Sequence, residues 1–235
     1  MSHMSEEIRY AELEQTIGYT FKNKDLFVQA LTHRSYLNEH SDFALGHNER
    51  LEFLGDAVLE LAVTEYLYEE YPGTTEGAMT NYRSALVKGA HLAEVASQFP
   101  LEDYILMSRG ERTDITSRAY ITANAVEALI AAIYLDGGME PAIQFVYRFI
   151  APDLTEIIDK KLFIDAKSLL QESTQEKQSI TPQYEVVRSW GPDHNKMFEV
   201  RVLVGEQEVG RGTGKSKQKA EQSAAENALE MQGLR

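Results

Sequence analysis

Three carboxylates, Glu49, Glu52 and Asp56, fall within eight residues of one another. On a helix turning about 100° per residue they share one face, within about 60° of arc. Acids held that close raise one another's pKa and destabilise the helix unless a cation neutralises them. A second segment carries Asn124 and Glu127 at i, i+3, set among Ala123, Ala125, Val126, Ala128, Leu129 and Ile130. A polar pair in so apolar a helix needs a partner once it is buried. Two facing oxygen-rich helix faces suit Mg²⁺, which takes oxygen ligands and keeps several waters for a phosphate to displace. The alternative is a set of solvated surface acids on an acidic protein. Gly55 weakens that alternative, because glycine inside a helix costs roughly 1 kcal/mol against alanine and suggests a close backbone approach. Spacing alone leaves both readings open.

These residues must be positioned by helices. Asn23 can cap a segment in which Leu26, Phe27, Ala30 and Leu31 keep the helical period. From about Asn48 to Tyr71, Leu51, Leu54, Val58 and Leu61 form an apolar stripe that Pro72-Gly73 ends. A third helix is expected from about Thr75 to Lys88, with Met79, Tyr82 and Leu86 inward and Gly89 as a break. A short fourth runs from His91 to Phe99, and polar Ser108–Thr116 reads as a loop. A strongly apolar helix then covers about Ser117 to Leu135, stopped by Gly137-Gly138, and Ala142–Ile150 is the last of this set. No strand pattern precedes residue 180, so this first domain, residues 5–158, is expected to be all-α.

Beyond it the pattern changes. Asp165–Glu176 reads as a helix, and an extended segment starts at Tyr184 and ends near Gly191-Pro192. Phe198, Val200, Val202 and Val204 alternate with partly polar neighbours, as in a strand with one buried face. Gly205 and Val209–Thr213 suggest its hairpin partner, and Ser216–Met231 closes as a helix. The order α-β-β-β-α over residues 163–232 describes a small α+β domain.

Composition limits the classes. Among 235 residues, 43% are hydrophobic and 26% charged, an ordinary globular mixture that excludes a fully disordered chain. There is no cysteine, which removes disulfides, thiolate metal sites and cysteine nucleophiles and suits a reducing cytoplasm. No apolar run approaches the roughly 18 residues of a membrane span, and no signal-peptide pattern opens the chain, so no membrane partner is expected. The net charge of −14 taken alone argues against nucleic acid. It is unevenly spread: residues 1–162 carry 13 basic against 26 acidic side chains, residues 163–235 carry 10 against 11. Lys215, Lys217 and Lys219 form a local basic cluster in the second part.

The run NERLEFLGDAVL at 48–59 closely resembles the signature of the bacterial ribonuclease III family of double-stranded-RNA endonucleases. LTHRSY at 31–36, TEGAMTNYRSALVKG at 75–89 and NAVEALIAAIYLDGG at 124–138 are similar to further blocks of that family, in family order, and the resemblance covers about residues 8–232. It implies that Glu52 is a metal ligand, that Asp56 has an active-site role, and that Glu127 is both ligand and catalytically essential. Glu49 and Glu76 match supporting acids. Asn124 stands where the best-known members have aspartate; its neutral carbonyl could still coordinate Mg²⁺, with one negative charge fewer. The implied reaction is Mg²⁺-dependent phosphodiester hydrolysis, with Mn²⁺ as a substitute, leaving 5′-phosphate and 3′-hydroxyl ends in ribosomal and other RNA precursors. No covalent nucleophile is needed. His33 is either a base or a helix-packing residue, and the carboxylate chemistry of the family favours packing.

In the second domain, Ser168, Gln171, Glu172 and Gln175 follow i, i+3, i+4, i+7 and form one polar face, with Leu169 and Leu170 on the other. The loop from Gly191 to Lys196 contains His194, and Gly212–Lys217 opens the final helix with Lys215, Ser216 and Lys217, followed by Lys219. A helix N-terminus bearing lysines favours phosphate. Each piece alone has a plainer explanation as solvated surface or turn. The GTGKS run lacks the spacing and strand context of a nucleotide-binding loop. Together the pieces resemble a double-stranded-RNA-binding domain, which reads A-form shape through 2′-hydroxyls and phosphates. The family resemblance further implies a homodimer in which each subunit cuts one strand, leaving short 3′ overhangs. Phe53 is either an interface residue or a core residue. The rival expectation is a protein that holds duplex RNA without cutting it, because of Asn124.

Overall fold

A computed structural model of the chain describes residues 3–192 and 196–234. It divides into two units, Met1–Thr155 and Glu156–Arg235. His194 lies outside the described residues.

The first unit is helical: α1 (His3–Ile17), α2 (Lys24–Ala30), α3 (Arg34–Glu39), α4 (Glu49–Glu70), α5 (Glu76–Leu86), α6 (Gly89–Ala96), α7 (Leu101–Tyr104), α8 (Arg109–Thr113), α9 (Ile115–Gly137) and α10 (Met139–Phe149). A further helix, α11 (Leu154–Asp159), lies across the division. Side-chain oxygens set several starts: Asn23 accepts from the Asp25 amide, Thr75 from that of Ala78, and Asp114 from that of Thr116. At the far end of α9, Gly138 takes φ 90°, a left-handed conformation that stops the helix.

Helix α9 is the centre of this unit, with every residue from Ala128 to Ile133 buried. It packs against α2, α4, α6 and α10. By length and composition α9 could cross a membrane, unlike the shorter apolar runs expected from sequence, but 61% of its most apolar stretch is buried inside the protein. Such burial is what a core helix requires.

Three local expectations differ from the structure. Gly89 begins α6 instead of breaking the chain, with Lys88 as its extended N-cap. The segment expected as a loop contains α8, because Ser108 accepts a hydrogen bond from the Glu111 amide and starts a turn. Leu61, expected inward, is exposed, and Leu59, Ala62 and Val63 are buried instead. The 100° step rotates the stripe past Leu61.

The second unit contains α12 (Ala166–Gln178), β1 (Gln183–Trp190), β2 (Met197–Val204), β3 (Gln207–Gly214) and α13 (Lys217–Met231). The sheet order is β1-β2-β3 with both pairings antiparallel. Its core joins Leu169 and Leu170 of α12, Val200 and Val202 of β2, and Ala220, Ala224, Ala225, Ala228 and Leu229 of α13. On β3, Gly210, Gly212 and Gly214 lie directly against α13; a Cβ at Gly212 would stand 2.2 Å from the Ala224 amide nitrogen. The polar face of the sheet is tied by ion pairs, Arg201–Glu185 at 2.8 Å and Arg211–Glu208 at 2.9 Å.

Candidate active site and nucleic-acid interface

The site begins with how α4 is anchored. Asn48, 1% exposed, receives no cap bond of its own but stitches the start of α4 to the preceding corner. Its backbone amide donates to Thr32 O at 2.9 Å and its side-chain amide to Ala30 O at 3.2 Å. The corner is pinned in turn by a parallel bridge between Thr32 and Leu106, with His33 N donating to Leu106 O at 2.9 Å and Leu106 N to Leu31 O at 2.8 Å. These bonds fix where Glu49 and Glu52 stand.

Helix α4 then runs along α9 at very short range. A Cβ on Gly55 would meet the Glu127 carbonyl oxygen at 1.8 Å, so only glycine permits the approach. The carboxyl groups of Glu52, Asp56 and Glu127 consequently interact. Burial pushes the Glu127 carboxyl up to about 7, and the charges of Asp56 and Glu52 add to that. Burial also raises Glu52, with Glu49 and Asp56 contributing, while a hydrogen bond from Asn124 opposes the rise. Asn124, whose burial demanded a partner, thus finds one in Glu52 across the helix interface.

Glu49, Glu52 and Asn124 line a cavity of about 420 Å³ together with His33, Arg34 and Tyr120. Asp56, Glu127 and Glu76 do not line it. Glu76 opens α5, where Thr80 donates to it at 3.4 Å. His33 is a cap: its Nδ1 accepts from the Ser35 amide at 3.3 Å at the start of α3. Burial lowers its pKa, and this structural use accords with the packing reading. Phe53 is 83% exposed, which removes the core reading. The cavity residues Arg34, Glu111, Ser117, Tyr120 and Ile121 escaped sequence reasoning. Tyr120 was detectable, since Ser117, Tyr120, Asn124 and Glu127 recur at i, i+3, i+7, i+10 on α9.

The donor set fits a hard divalent cation in kind: carboxylate and amide oxygens from two helices, with a half-buried Glu127 destabilised by its neighbours. Among the described residues no three acidic or histidine side chains already form a closed metal cage. Mg²⁺ commonly uses one or two carboxylates, waters and substrate phosphate instead of an all-protein cage.

In the second unit, Ser168, Gln171, Glu172 and Gln175 are all exposed on α12, opposite buried Leu169 and Leu170. Asp165 caps that helix. Ser216 caps α13, accepting from the Lys219 amide at 3.2 Å, so its hydroxyl is already engaged. Lys215, Lys217 and Lys219 are exposed and enter no ion pair among the described residues, whereas Lys167 pairs with Glu221 at 2.6 Å.

The profile of the Ribonuclease-III-like family matches residues 23–154, and that of the double-stranded RNA binding motif matches residues 166–232. Ribonuclease 3 of Geobacillus kaustophilus is 42% identical over 97% of this chain and 93% of its own length. Ribonuclease 3 of Listeria monocytogenes is 40% identical, covering 94% of this chain and 96% of its own. Among solved structures, the nuclease domain of ribonuclease III from Campylobacter jejuni is similar over 60% of this chain and 94% of its own, with TM-score 0.54 and 41% identity. That protein has a flexible region involved in dimer formation.

Proposed function

This chain belongs to the ribonuclease III family of endoribonucleases and carries a double-stranded-RNA-binding domain, and on that footing we propose that it is a Mg²⁺-dependent enzyme hydrolysing phosphodiester bonds in duplex RNA. The observation that carries the reading is the convergence of Glu52, Asp56 and Glu127 across a glycine contact between α4 and α9. Glu52, Glu127 and the Asn124 carbonyl would hold the cation. Bound there, Mg²⁺ or Mn²⁺ would acidify a water and offset charge on the attacking and leaving oxygens. Asp56 and Glu127 act at the reacting phosphate, and Glu49 and Glu76 support the site's charge. Without a cation, burial and its acidic neighbours push the Glu127 carboxyl up to about 7, and a bound cation would favour its ionised, ligating form. Products carry 5′-phosphate and 3′-hydroxyl ends, and the substrates are ribosomal and other RNA precursors.

The exposed α12 face and Lys215, Lys217 and Lys219 form the duplex-binding surface, with Ser216 holding the helix start that presents the lysines. His194 belongs to the same surface in this reading. A homodimer is supported by Phe53, Leu61 and Tyr68, which leave apolar surface exposed along α4. The absence of cysteine suits a cytoplasmic location.

A second reading, duplex binding without cleavage, draws on one observation: the Asn124 amide donates to Glu52, a hydrogen bond that a carboxylate at 124 would not make. Incubating the chain with a labelled RNA hairpin in Mg²⁺, Mn²⁺ or EDTA separates the two. Metal-dependent products support the enzyme. Tight binding without products in either metal supports the second reading.

A further inference from the structure

Arg34 is the one permanent cation among the described residues that line the acidic cavity, which also contains Glu49, Glu52 and Glu111. Its backbone is held rigidly. Flanking His33 is bonded through its amide to Leu106 and through its ring to Ser35, and the Ser35 hydroxyl accepts from the Ser108 amide at 3.0 Å. The side chain is not held in the same way. Among the described residues its side chain pairs with Glu49, with Nη1 3.4 Å from Oε1, and the two side chains are 70% and 47% exposed. An ion pair so long and so exposed contributes little to stability.

A polyanion entering a cavity lined by three carboxylates meets repulsion at the mouth. A guanidinium held there on a fixed corner relieves it, and its planar fork matches two phosphate oxygens. We propose that Arg34 is a phosphate-positioning residue: on duplex entry it exchanges Glu49 for a backbone phosphate beside the bond to be cut. The exchange leaves Glu49 unpaired beside Glu52, where added negative charge favours a cation. No covalent step is involved. The inference rests on the proposed reaction for its catalytic consequence, but not for its phosphate contact.

The test uses the full chain with Arg34→Gln, Arg34→Lys and, as a charge control away from the cavity, Lys88→Gln. Single-turnover cleavage of a labelled RNA duplex and the salt dependence of duplex binding are measured for each, with thermal melting alongside. For Arg34→Gln the expected results are a cleavage rate at saturating RNA lower by about tenfold or more, an unchanged melting midpoint, and a binding salt slope lower by about one. Arg34→Lys restores the slope and only part of the rate, and Lys88→Gln resembles wild type. Wild-type rate and slope in Arg34→Gln overturn the proposal. So does an equal loss in Lys88→Gln, or a loss that follows a fallen melting midpoint. Should wild type cut nothing in either metal, the reaction reading fails by itself. The salt slope then decides for or against Arg34 as a phosphate contact.

Discussion

Gly55 rests against the main chain of Glu127: an added Cβ would stand 1.8 Å from the carbonyl oxygen and 2.5 Å from the carbonyl carbon. Both partners lie on regular helices, so neither can retreat without moving its helix. One missing side chain therefore sets the distance between the two acidic faces.

Replacing Gly55 with alanine ought to force α4 from α9. Despite alanine's better helix propensity, a loss of about 2–4 kcal/mol in stability is expected from overpacking against backbone. Metal-dependent cleavage should fall further than the folded fraction does. Chemical denaturation read beside cleavage rate checks this, and a stabilised, active Gly55→Ala would refute the contact.

Glu127 gives a pH dependence with a definite sign. Its carboxyl is raised from 4.5 to about 7 in the folded state, so the native protein binds its proton more tightly than the unfolded chain does. That stabilisation is complete below the unfolded value and is lost as pH climbs through about 7. With chelator present, the melting temperature should decline between about pH 5 and pH 8. Glu127→Gln should flatten that decline, be more stable than wild type by about 1–2 kcal/mol at neutral pH, and cut no RNA while binding it within a few-fold. Melting curves across pH measure the first effects; wild-type turnover in Mg²⁺ by the variant would remove Glu127 from the chemistry.

Asn124→Asp exchanges an amide that donates to Glu52 for a further negative charge beside Glu52, Asp56 and Glu127. The Mg²⁺ concentration for half-maximal cleavage should drop, because the site gains charge at the same oxygen count. In the unaltered chain Mn²⁺ should support cleavage better than Mg²⁺. Titrating each metal against rate for both chains is the check, and identical half-saturation would exclude residue 124 as a ligand whose charge matters.

The three lysines at the start of α13, Lys215 just before its cap and Lys217 and Lys219 in its first turn, are free of ion pairs among the described residues, so their charge is available to phosphate. Substituting Lys215, Lys217 and Lys219 together by glutamine should weaken duplex binding similarly for all sequences and lower the salt slope by about three. Filter binding across a salt series would measure it. An unchanged slope would move the RNA contact off this helix end.

Much of the helical unit was legible because burial imposes a period: Leu51 and Val58 on α4, and the apolar run of α9, are where the spacing put them. The cap at Asn23 announced its helix through side-chain chemistry. The failures are also local. Ser108 caps a five-residue helix too short to show a period, and Gly89 is glycine at a helix start instead of an end. In the site, Gly55 signalled a close approach, but its partner could not be read until α9 was seen to bring Glu127 there. Arg34 was illegible because its meaning depends on a cavity shared by α3, α4 and α9, which no single window of sequence contains.

The bare strip of Gly210, Gly212 and Gly214 has a consequence for how the second unit meets a duplex. Main chain lies on main chain there, so α13 cannot slide or lift without opening a gap that no side chain fills. The spacing between its lysine-bearing end and the sheet behaves as a fixed gauge. The charges at that end can be exchanged through substitution, whereas their separation is inherited from three positions that carry no side chain at all.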